Sequence, residues 1–334
     1  MSERILVVGP SWVGDMVMAQ SLYISLVETP GSSVDVLAPG WSLPLIRRMP
    51  EVRQGIELPL SHGDLGLAAR RRLGRSLRRE GYDRAIVIPR SFKSALVPWH
   101  ARIPVRTGYR GEMRYGLLND LRRLDESVLT QTVQRYVALG RHADAPLPPP
   151  VPRPSLSVDS ANQARLLETL GLHGEGPVAA LMPGAEYGPA KCWPLEFFAE
   201  TARCLAAEGF RVWVLGSGRD RSAGQSVVQA ATARVVNLCG LTELEDAVDL
   251  LALASHAISN DSGLMHVAAA TGCHVIGIYG STTPAFTPPL SERATPIYLD
   301  LDCSPCFRRE CPLGHLRCLR DISPQSVLAA VLGR

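Results

Sequence analysis

The segment Ala257 to Ala270, AISNDSGLMHVAAA, constrains the fold most, because an apolar strand ends in Asn260-Asp261-Ser262-Gly263 and a helix begins at once. A strand that hands small polar residues to a helix N-terminus makes an anion site. The first-turn N–H groups have no partner inside the helix and carry the positive end of its dipole. Ser262 and Gly263 therefore suit a diphosphate, and His266, one turn on, shares a face with Gly263. The plainer alternative is an ordinary cap at Asp261 or Ser262 and a satisfied core histidine.

The same alternation runs through the whole chain. Arg4 to Gly9 (RILVVG) is the compact apolar run of a buried parallel strand, and a helical pattern over Asp15 to Val27 follows the loop Pro10 to Gly14. Val34 to Ala38 and Asp83 to Pro89 predict further strands, with an Arg-rich helix over Leu65 to Glu80 and another over Ser127 to Arg141. Pro146 to Pro154, PLPPPVPRP, can continue neither element and reads as a linker between domains 1–150 and 155–334. Beyond it the spacing predicts helices at Ser160–Leu170, Pro194–Ala207 and Ser222–Ala231, strands at Val178–Met182, Arg211–Leu215, Ala257–Ser259 and Val275–Tyr279, a capping box at Thr242/Glu245 and a final helix at Ser323–Leu332. Strands alternating with helices predict an α/β chain of two doubly wound parallel sheets, with ligands in a cleft at the carboxyl ends of the strands. Loops 9–15, 183–193, 216–221, 239–242 and 260–266 would line it.

A chain of 334 residues with 46% hydrophobic and 20% charged residues can bury two cores. The opening MSERILVVGP enters a strand directly and no apolar run reaches membrane-spanning length, which predicts a cytosolic protein. The net charge of +3 hides an asymmetry: residues 1–150 carry 21 Lys/Arg against 14 Asp/Glu, the remainder 14 against 18. A basic first half points to an anionic partner, either nucleic acid, lipid headgroups or a phosphorylated substrate.

Gly9 and Gly14 have P-loop spacing, but Asp15 and Met16 stand where Lys and Ser/Thr are needed, and no G-x-G-x-x-G follows a strand. Nucleotide hydrolysis on a P-loop and nicotinamide chemistry are both disfavoured. What remains is a carboxylate, Asp15, at a helix N-terminus whose dipole favours its ionised form, with a helix cap as the plain alternative. Loop 183–193, PGAEYGPAKCW, contains Gly184 and one of only two lysines in the chain, Lys191; its ammonium suits a diphosphate.

Five stretches together carry a resemblance: Gly9-Pro10-Ser11-Trp12-Val13-Gly14-Asp15-Met16, Ser91 to Leu96 (SFKSAL), Arg106 to Asn119 (RTGYRGEMRYGLLN), Pro183 to Trp193 and Asn260 to Ala270. They resemble the ADP-heptose:lipopolysaccharide heptosyltransferases of glycosyltransferase family 9, most of all the type II group, over nearly the whole chain in order. The resemblance implies a GT-B fold, two Rossmann-like domains facing each other across a cleft, with the acceptor on the first and the nucleotide sugar on the second. It implies inverting transfer of L-glycero-D-manno-heptose from ADP-heptose to the first heptose of the inner core. Carried over residue by residue, the general base falls on Asp15, the diphosphate lysine on Lys191 beside Gly184, and the donor motif on Asp261, Ser262, Gly263, Leu264 and His266. Asp220 at the ADP ribose and Leu241 on adenine are placed by topology alone.

The resemblance also gives the basic half a use, since the heptosyl-Kdo2-lipid A acceptor is anionic; nucleic acid is then not the partner. Lys93, Arg106, Arg110 and Arg114 lie in the matching segments and are the acceptor candidates. Arg70, Arg71, Arg72, Arg75, Arg78 and Arg79 form a cationic helix suited to an anionic inner-membrane surface, so a peripheral location on its cytoplasmic face is expected. No cofactor or catalytic metal is expected, and Asp300-Leu301-Asp302 is taken as a chance D-x-D. Cys303, Cys306, Cys311 and Cys318, with His315 among them, have enough thiols for a structural zinc, against labile thiols or an opportunistic disulfide. Heptosyltransferases I and III, a GT-B-like nucleotide-sugar epimerase and a binding module without turnover are the alternatives. An epimerase would leave the basic half unexplained, and a binding module would require Asp15 to be a buried cap.

Overall fold

The computed structural model describes residues 3–61, 63–231 and 234–334. It comprises two compact units, Met1–Pro154 and Ser155–Arg334, divided at the end of the proline-rich stretch. In the first unit β1 (Arg4–Val8), α1 (Val13–Val27), β2 (Ser33–Pro39), α2 (Leu43–Ile46), β3 (Val52–Leu58), α3 (Leu67–Ser76), β4 (Arg84–Val87), α4 (Leu96–His100), β5 (Val105–Tyr109), β6 (Asp120–Arg122) and α5 (Thr132–Gly140) follow in order. Their strands form one sheet, β3-β2-β1-β4-β5-β6, parallel at every junction.

The second unit holds α6 (Ser160–Thr169), β7 (Val178–Met182), α7 (Leu195–Ala207), β8 (Arg211–Val214), α8 (Arg221–Gln229), β9 (Val235–Asn237), α9 (Leu244–Leu253), β10 (His256–Asn260), α10 (Gly263–Ala270), β11 (His274–Ile278), β12 (Ala294–Ile297), α11 (Arg317–Arg320) and α12 (Pro324–Leu332). Its sheet, β12-β11-β10-β7-β8-β9, has the same order as the first when counted from β7, and is again parallel. The last helix packs on α7 and β11 of its own unit, with Val327 and Val331 in that unit's core.

This order is the doubly wound one, and in each sheet the winding reverses once: between β1 and β4, and between β7 and β10. Ligands of such sheets bind at the carboxyl side of that reversal. The fold thereby singles out the loops after β1 and β4 in one unit and after β7 and β10 in the other.

The central strands are legible because burial on both faces demands an apolar run; Ile5, Leu6 and Val7 are at most 1% exposed and all five residues of β7 are buried. The edge strands β3, β6, β9 and β12 are only partly covered and keep polar residues such as Arg53, Gln54 and Asp120, so the apolar-run criterion passes them over. Several boundaries also move. The helix expected from Leu65 to Glu80 is α3 plus a 3-10 turn, Leu77–Glu80, and that expected over Ser127–Arg141 begins only at Thr132. The capping box before α9 is made by Glu243 and Asp246, not Thr242 and Glu245, because the helix starts later than the sequence pattern suggests.

Candidate active site

At the first reversal, Asp15 is the third residue of α1. The N-cap position belongs to Trp12, extended at φ −122° and ψ 145°, with no side-chain cap bond. Asp15 is therefore not the cap that the plain alternative required, and it is only half-buried. Tyr136 of α5 donates its hydroxyl to Asp15 Oδ1 at 2.9 Å. That contact depends on α5 lying close along α1: a Cβ at Gly140 would stand 2.5 Å from Leu22 Cδ1. Burial, then the Asp15 charge, push the Tyr136 phenol well above its usual range, so it stays a donor at any working pH. Tyr136 is a positioning residue that sequence reasoning missed; 121 residues separate it from its partner, and no local pattern marks it.

After β4, the chain turns through Phe92–Ala95, and the segment around Glu112 folds back on it, with Phe92 N donating to Glu112 Oε2 at 2.7 Å. Lys93 is half-exposed on this turn and Arg110 is exposed at the end of β5, so both can meet a ligand. The other two acceptor candidates need correction. Arg114 is 1% exposed and threads through the loop, donating to the carbonyls of Pro89 and Tyr109 at 2.5 Å each and to Ser94 Oγ at 3.2 Å. It clamps the loop after β4 to the end of β5, and burial lowers its pKa to about 10, still charged at neutral pH. Arg106 likewise spends its guanidinium on the carbonyls of Leu117 and Ile103. An arginine in a matching segment is as useful for tying a loop as for meeting a ligand, and sequence cannot separate the two.

The second reversal is more completely built. Asn260, fully buried at the end of β10, accepts from Trp193 N at 2.9 Å and donates to the Pro183 carbonyl at 2.7 Å, tying loop 183–193 to the strand at both ends. The Trp193 indole, 1% exposed, donates to the Ile322 carbonyl and roots the loop in the core. From this frame Lys191 reaches Asp261, Nζ to Oδ2 at 2.6 Å, with side chains 14% and 5% exposed, and its ammonium sits 5.2 Å from the Tyr187 ring centre. Asp261 also accepts from Thr282 Oγ1 at 2.6 Å and Thr287 Oγ1 at 3.4 Å. Asp261 thus aims and holds the lysine, a use that the sequence pattern did not specify. The tying role of Asn260, and Thr282 and Thr287 altogether, escaped the sequence reading because their partners lie elsewhere in the chain.

Ser262 is the N-cap of α10 in extended conformation, and its hydroxyl turns to Ser259 Oγ at 3.1 Å without capping the helix. The first turn, Gly263-Leu264-Met265, therefore presents backbone amides beside Lys191, an arrangement that suits an anion. His266 is 4% exposed, and burial outweighs the attraction of Asp261 to bring its pKa down to about 4, so the ring is neutral at pH 7.

His266 has a consequence for stability. Its folded pKa lies below the unfolded value near 6.5, so the unfolded chain takes up the proton first as the medium is acidified. The stability in question is fully present above pH 6.5 and is lost as pH falls towards 4, by at most about 3 kcal/mol. Denaturant titrations at pH 7 and pH 5 are expected to show a smaller pH difference for His266→Gln than for the unsubstituted chain. An unchanged difference would mean that the ring is not desolvated in solution.

The topological placements fare unevenly. Asp220 Oδ2 accepts from Ser217 N at 2.8 Å and Ser217 Oγ at 2.7 Å, closing a capping box, so this oxygen is committed to its own loop. Gly184 backs onto that carboxylate; a Cβ there would come within 2.4 Å of Asp220 Oδ1, which is the reason for glycine. Leu241 is 49% exposed after β9, compatible with stacking on a flat ring. On the cationic helix Arg70 is a correction: it is 4% exposed, its Nε donating to the Leu65 carbonyl at 2.8 Å, whereas Arg71, Arg72, Arg75, Arg78 and Arg79 are exposed.

Each unit therefore carries one built locus at its winding reversal: an oriented, half-exposed acid in the first, and a lysine beside helix amides in the second. The sequence profile of glycosyltransferase family 9 (heptosyltransferase) matches residues 70–317. Lipopolysaccharide heptosyltransferase 2 of Salmonella typhimurium is 47% identical over 97% of this chain and 96% of its own length. Lipooligosaccharide heptosyltransferase 2 of Haemophilus influenzae is 45% identical over 97% of each. The solved structure of E. coli ADP-heptose LPS heptosyltransferase II superposes with a TM-score of 0.88 at 43% identity, over 99% of this chain and 98% of that one. Two Rossmann-like units of the same winding, aligned from end to end with these enzymes, leave one assignment: the chain belongs to glycosyltransferase family 9, the heptosyltransferases, and is a glycosyltransferase.

Proposed function

We propose that the protein transfers L-glycero-D-manno-heptose from ADP-heptose to the first heptose of the lipopolysaccharide inner core, with inversion at the anomeric carbon. The observation that carries this reading is the seat at the start of α10, where Lys191 is aimed by Asp261 beside the first-turn amides, in a chain 47% identical to a heptosyltransferase 2. A diphosphate leaving group needs such a seat. Inversion needs one base on the opposite side of the anomeric carbon, so a single carboxylate suffices where glycosidases typically use two.

In the proposed step the acceptor hydroxyl attacks the anomeric carbon, the bond from that carbon to the β-phosphate oxygen breaks, and the hydroxyl proton passes to Asp15. A carboxylate is too weak a base to deprotonate a sugar hydroxyl beforehand, so proton transfer lags behind bond cleavage and the transition state is oxocarbenium-like. Lys191 and the α10 amides stabilise the charge growing on ADP, and neutral His266 completes the wall of that seat. Lys93 and Arg110 are the acceptor contacts that remain once Arg106 and Arg114 are assigned to their loops. Incubation with ADP-heptose and heptosyl-Kdo2-lipid A is expected to release ADP only when both are present. Release at the same rate without acceptor, or none with both, overturns the reading.

Tyr136→Phe tests how Asp15 is aimed. Loss of a hydrogen bond to a charged group, about 1.5–3 kcal/mol, is expected to lower kcat roughly tenfold or more with little change in donor KM. Unchanged kcat would reduce the contact to packing.

Among the described residues no helix is long and apolar enough to cross a membrane. Contact with an anionic membrane surface falls instead to the five exposed arginines of 71–79, flanked by Leu65, Leu67 and Trp99, which are about half-exposed. Cosedimentation with phosphatidylglycerol vesicles is expected to fall with added salt and with Arg71→Glu/Arg72→Glu/Arg75→Glu; binding indifferent to both would remove the assignment.

A further inference from the structure

Between β12 and α11 the chain runs from Tyr298 to Leu316 without a helix or strand. A stretch of that length inside a compact unit needs something other than backbone ladders to order it. Four thiols in and just after this stretch surround one small cavity: Cys303, Cys306, Cys311 and Cys318, together with Ala190, Ser281, His315 and Leu316. The space is about 20 Å3, enough for a single water-sized body. Cys318 lies within electrostatic reach of the other three sulfurs, and all four are free thiols. The backbone amides of Leu313, Gly314, His315 and Leu316 face the Cys311 sulfur across a turn closed by Gly314 at φ +71°. Ser281, which lines the same cavity, has a buried Oγ without a hydrogen-bond partner among the described residues.

The cavity is also the back wall of the donor loop. Ala190 N donates to the Arg309 carbonyl at 3.0 Å, Ser281 N to the Ala190 carbonyl at 3.3 Å, and Tyr187 Oη to the Phe307 carbonyl at 2.8 Å. Gly188 is glycine because a Cβ would stand 2.5 Å from the Arg309 carbonyl oxygen. The Tyr187 ring has the Arg309 guanidinium 5.5 Å and the Lys191 ammonium 5.2 Å from its centre. Whatever orders the cysteine loop therefore orders the neighbours of Lys191.

We propose that Cys303, Cys306, Cys311 and Cys318 bind one thiophilic divalent ion, zinc or ferrous iron, as a tetrathiolate, and that the resulting knot braces the loop that carries Lys191. Four sulfurs around one small space select a tetrahedral, soft-metal site. His315 is not the fourth ligand through Nδ1, which accepts from Arg317 N at 3.0 Å. Among the described residues no such group already stands in ligating geometry, so binding draws the sulfurs inward by side-chain rotation and releases the thiol protons. The bracing half of the proposal rests on the donor role given to Lys191; the metal half does not.

The test is elemental analysis of the full chain, purified without a histidine tag, with cobalt(II) reconstitution as a second readout. One zinc or iron per chain is expected, the element naming the ion, and cobalt is expected to give the intense visible absorption of a tetrahedral thiolate site. Cys306→Ser, at a half-buried position, and Cys303→Ser/Cys306→Ser are expected to lose the ion while far-ultraviolet circular dichroism is retained. Chelation is expected to lower the melting temperature and to raise the dissociation constant for ADP about tenfold. A metal-free chain whose four thiols all react with Ellman's reagent, a disulfide among them, or an ion retained by the double variant would overturn the site. An ion whose removal leaves ADP affinity unchanged would overturn the bracing. Failure of acceptor-dependent ADP release in a metal-loaded chain would strike the catalytic reading and leave the site standing.

Discussion

Asp15→Asn is expected to lower kcat by about 10²- to 10⁴-fold, the usual contribution of a positioned general base, with little change in donor KM. Asparagine keeps the shape and can still accept from Tyr136, whose hydroxyl lies 2.9 Å from the carboxylate, so local structure should survive. What is lost, under the proposed mechanism, is the capacity to take the proton from the acceptor hydroxyl as the bond to ADP breaks. The measurement is steady-state ADP release at saturating acceptor, with circular dichroism and melting temperature as controls. A kcat within threefold of the unsubstituted enzyme would remove Asp15 from the reaction, and the base would have to be sought elsewhere.

Lys191→Ala is expected to do two separable things. It removes the cation proposed to meet the departing diphosphate, costing about 10²- to 10³-fold in kcat/KM by analogy with other single electrostatic contacts at a transition state. It also strands Asp261, 5% exposed in its side chain and left with only two threonine hydroxyls, among the side-chain contacts described above, to offset its charge. Breaking a buried pair from one side costs about 3–5 kcal/mol, so a marked fall in melting temperature should accompany the loss of activity. Lys191→Met/Asp261→Asn separates the effects, because the double variant carries no stranded charge. It should regain most of the stability and none of the turnover. If turnover returned with stability, the lysine would be a structural element and the diphosphate would rest on the helix amides alone.

Both expectations concern residues visible in the sequence, and the reason is local. Asp15 and Asp261-Ser262-Gly263 stand where a buried apolar strand gives way to a helix, and Lys191 lies in a glycine-bearing loop directly after such a strand. In a parallel sheet those places are read from the strand run and the following helix without any knowledge of distant contacts. The polar edge strands lacked that signature, and so did the first turn of α9, where Glu243 and not Thr242 holds the capping position.

The acceptor side shows the opposite case. Lys93, Arg106, Arg110 and Arg114 are equivalent as cations in matching segments, yet Arg114 is a buried clamp and Arg106 a loop tie. Which carbonyl oxygens converge on a guanidinium depends on strands and turns far apart in the chain. The same holds for Arg70, which turns in to the Leu65 carbonyl while Arg71, Arg72 and Arg75 of the same helix are exposed.

The chain's strand-and-helix rhythm, its proline-rich divide and its small polar residues at strand ends were determined by sequence alone, since each depends on the hydrophobicity and backbone preferences of consecutive residues. The tertiary structure alone decided that Tyr136 aims Asp15, that Asp261 aims Lys191, that Asn260 ties the donor loop and that four thiols share one cavity behind it. These are contacts brought together by packing across 67 or more residues in the first three cases, and one-dimensional pattern carries no term for such distances.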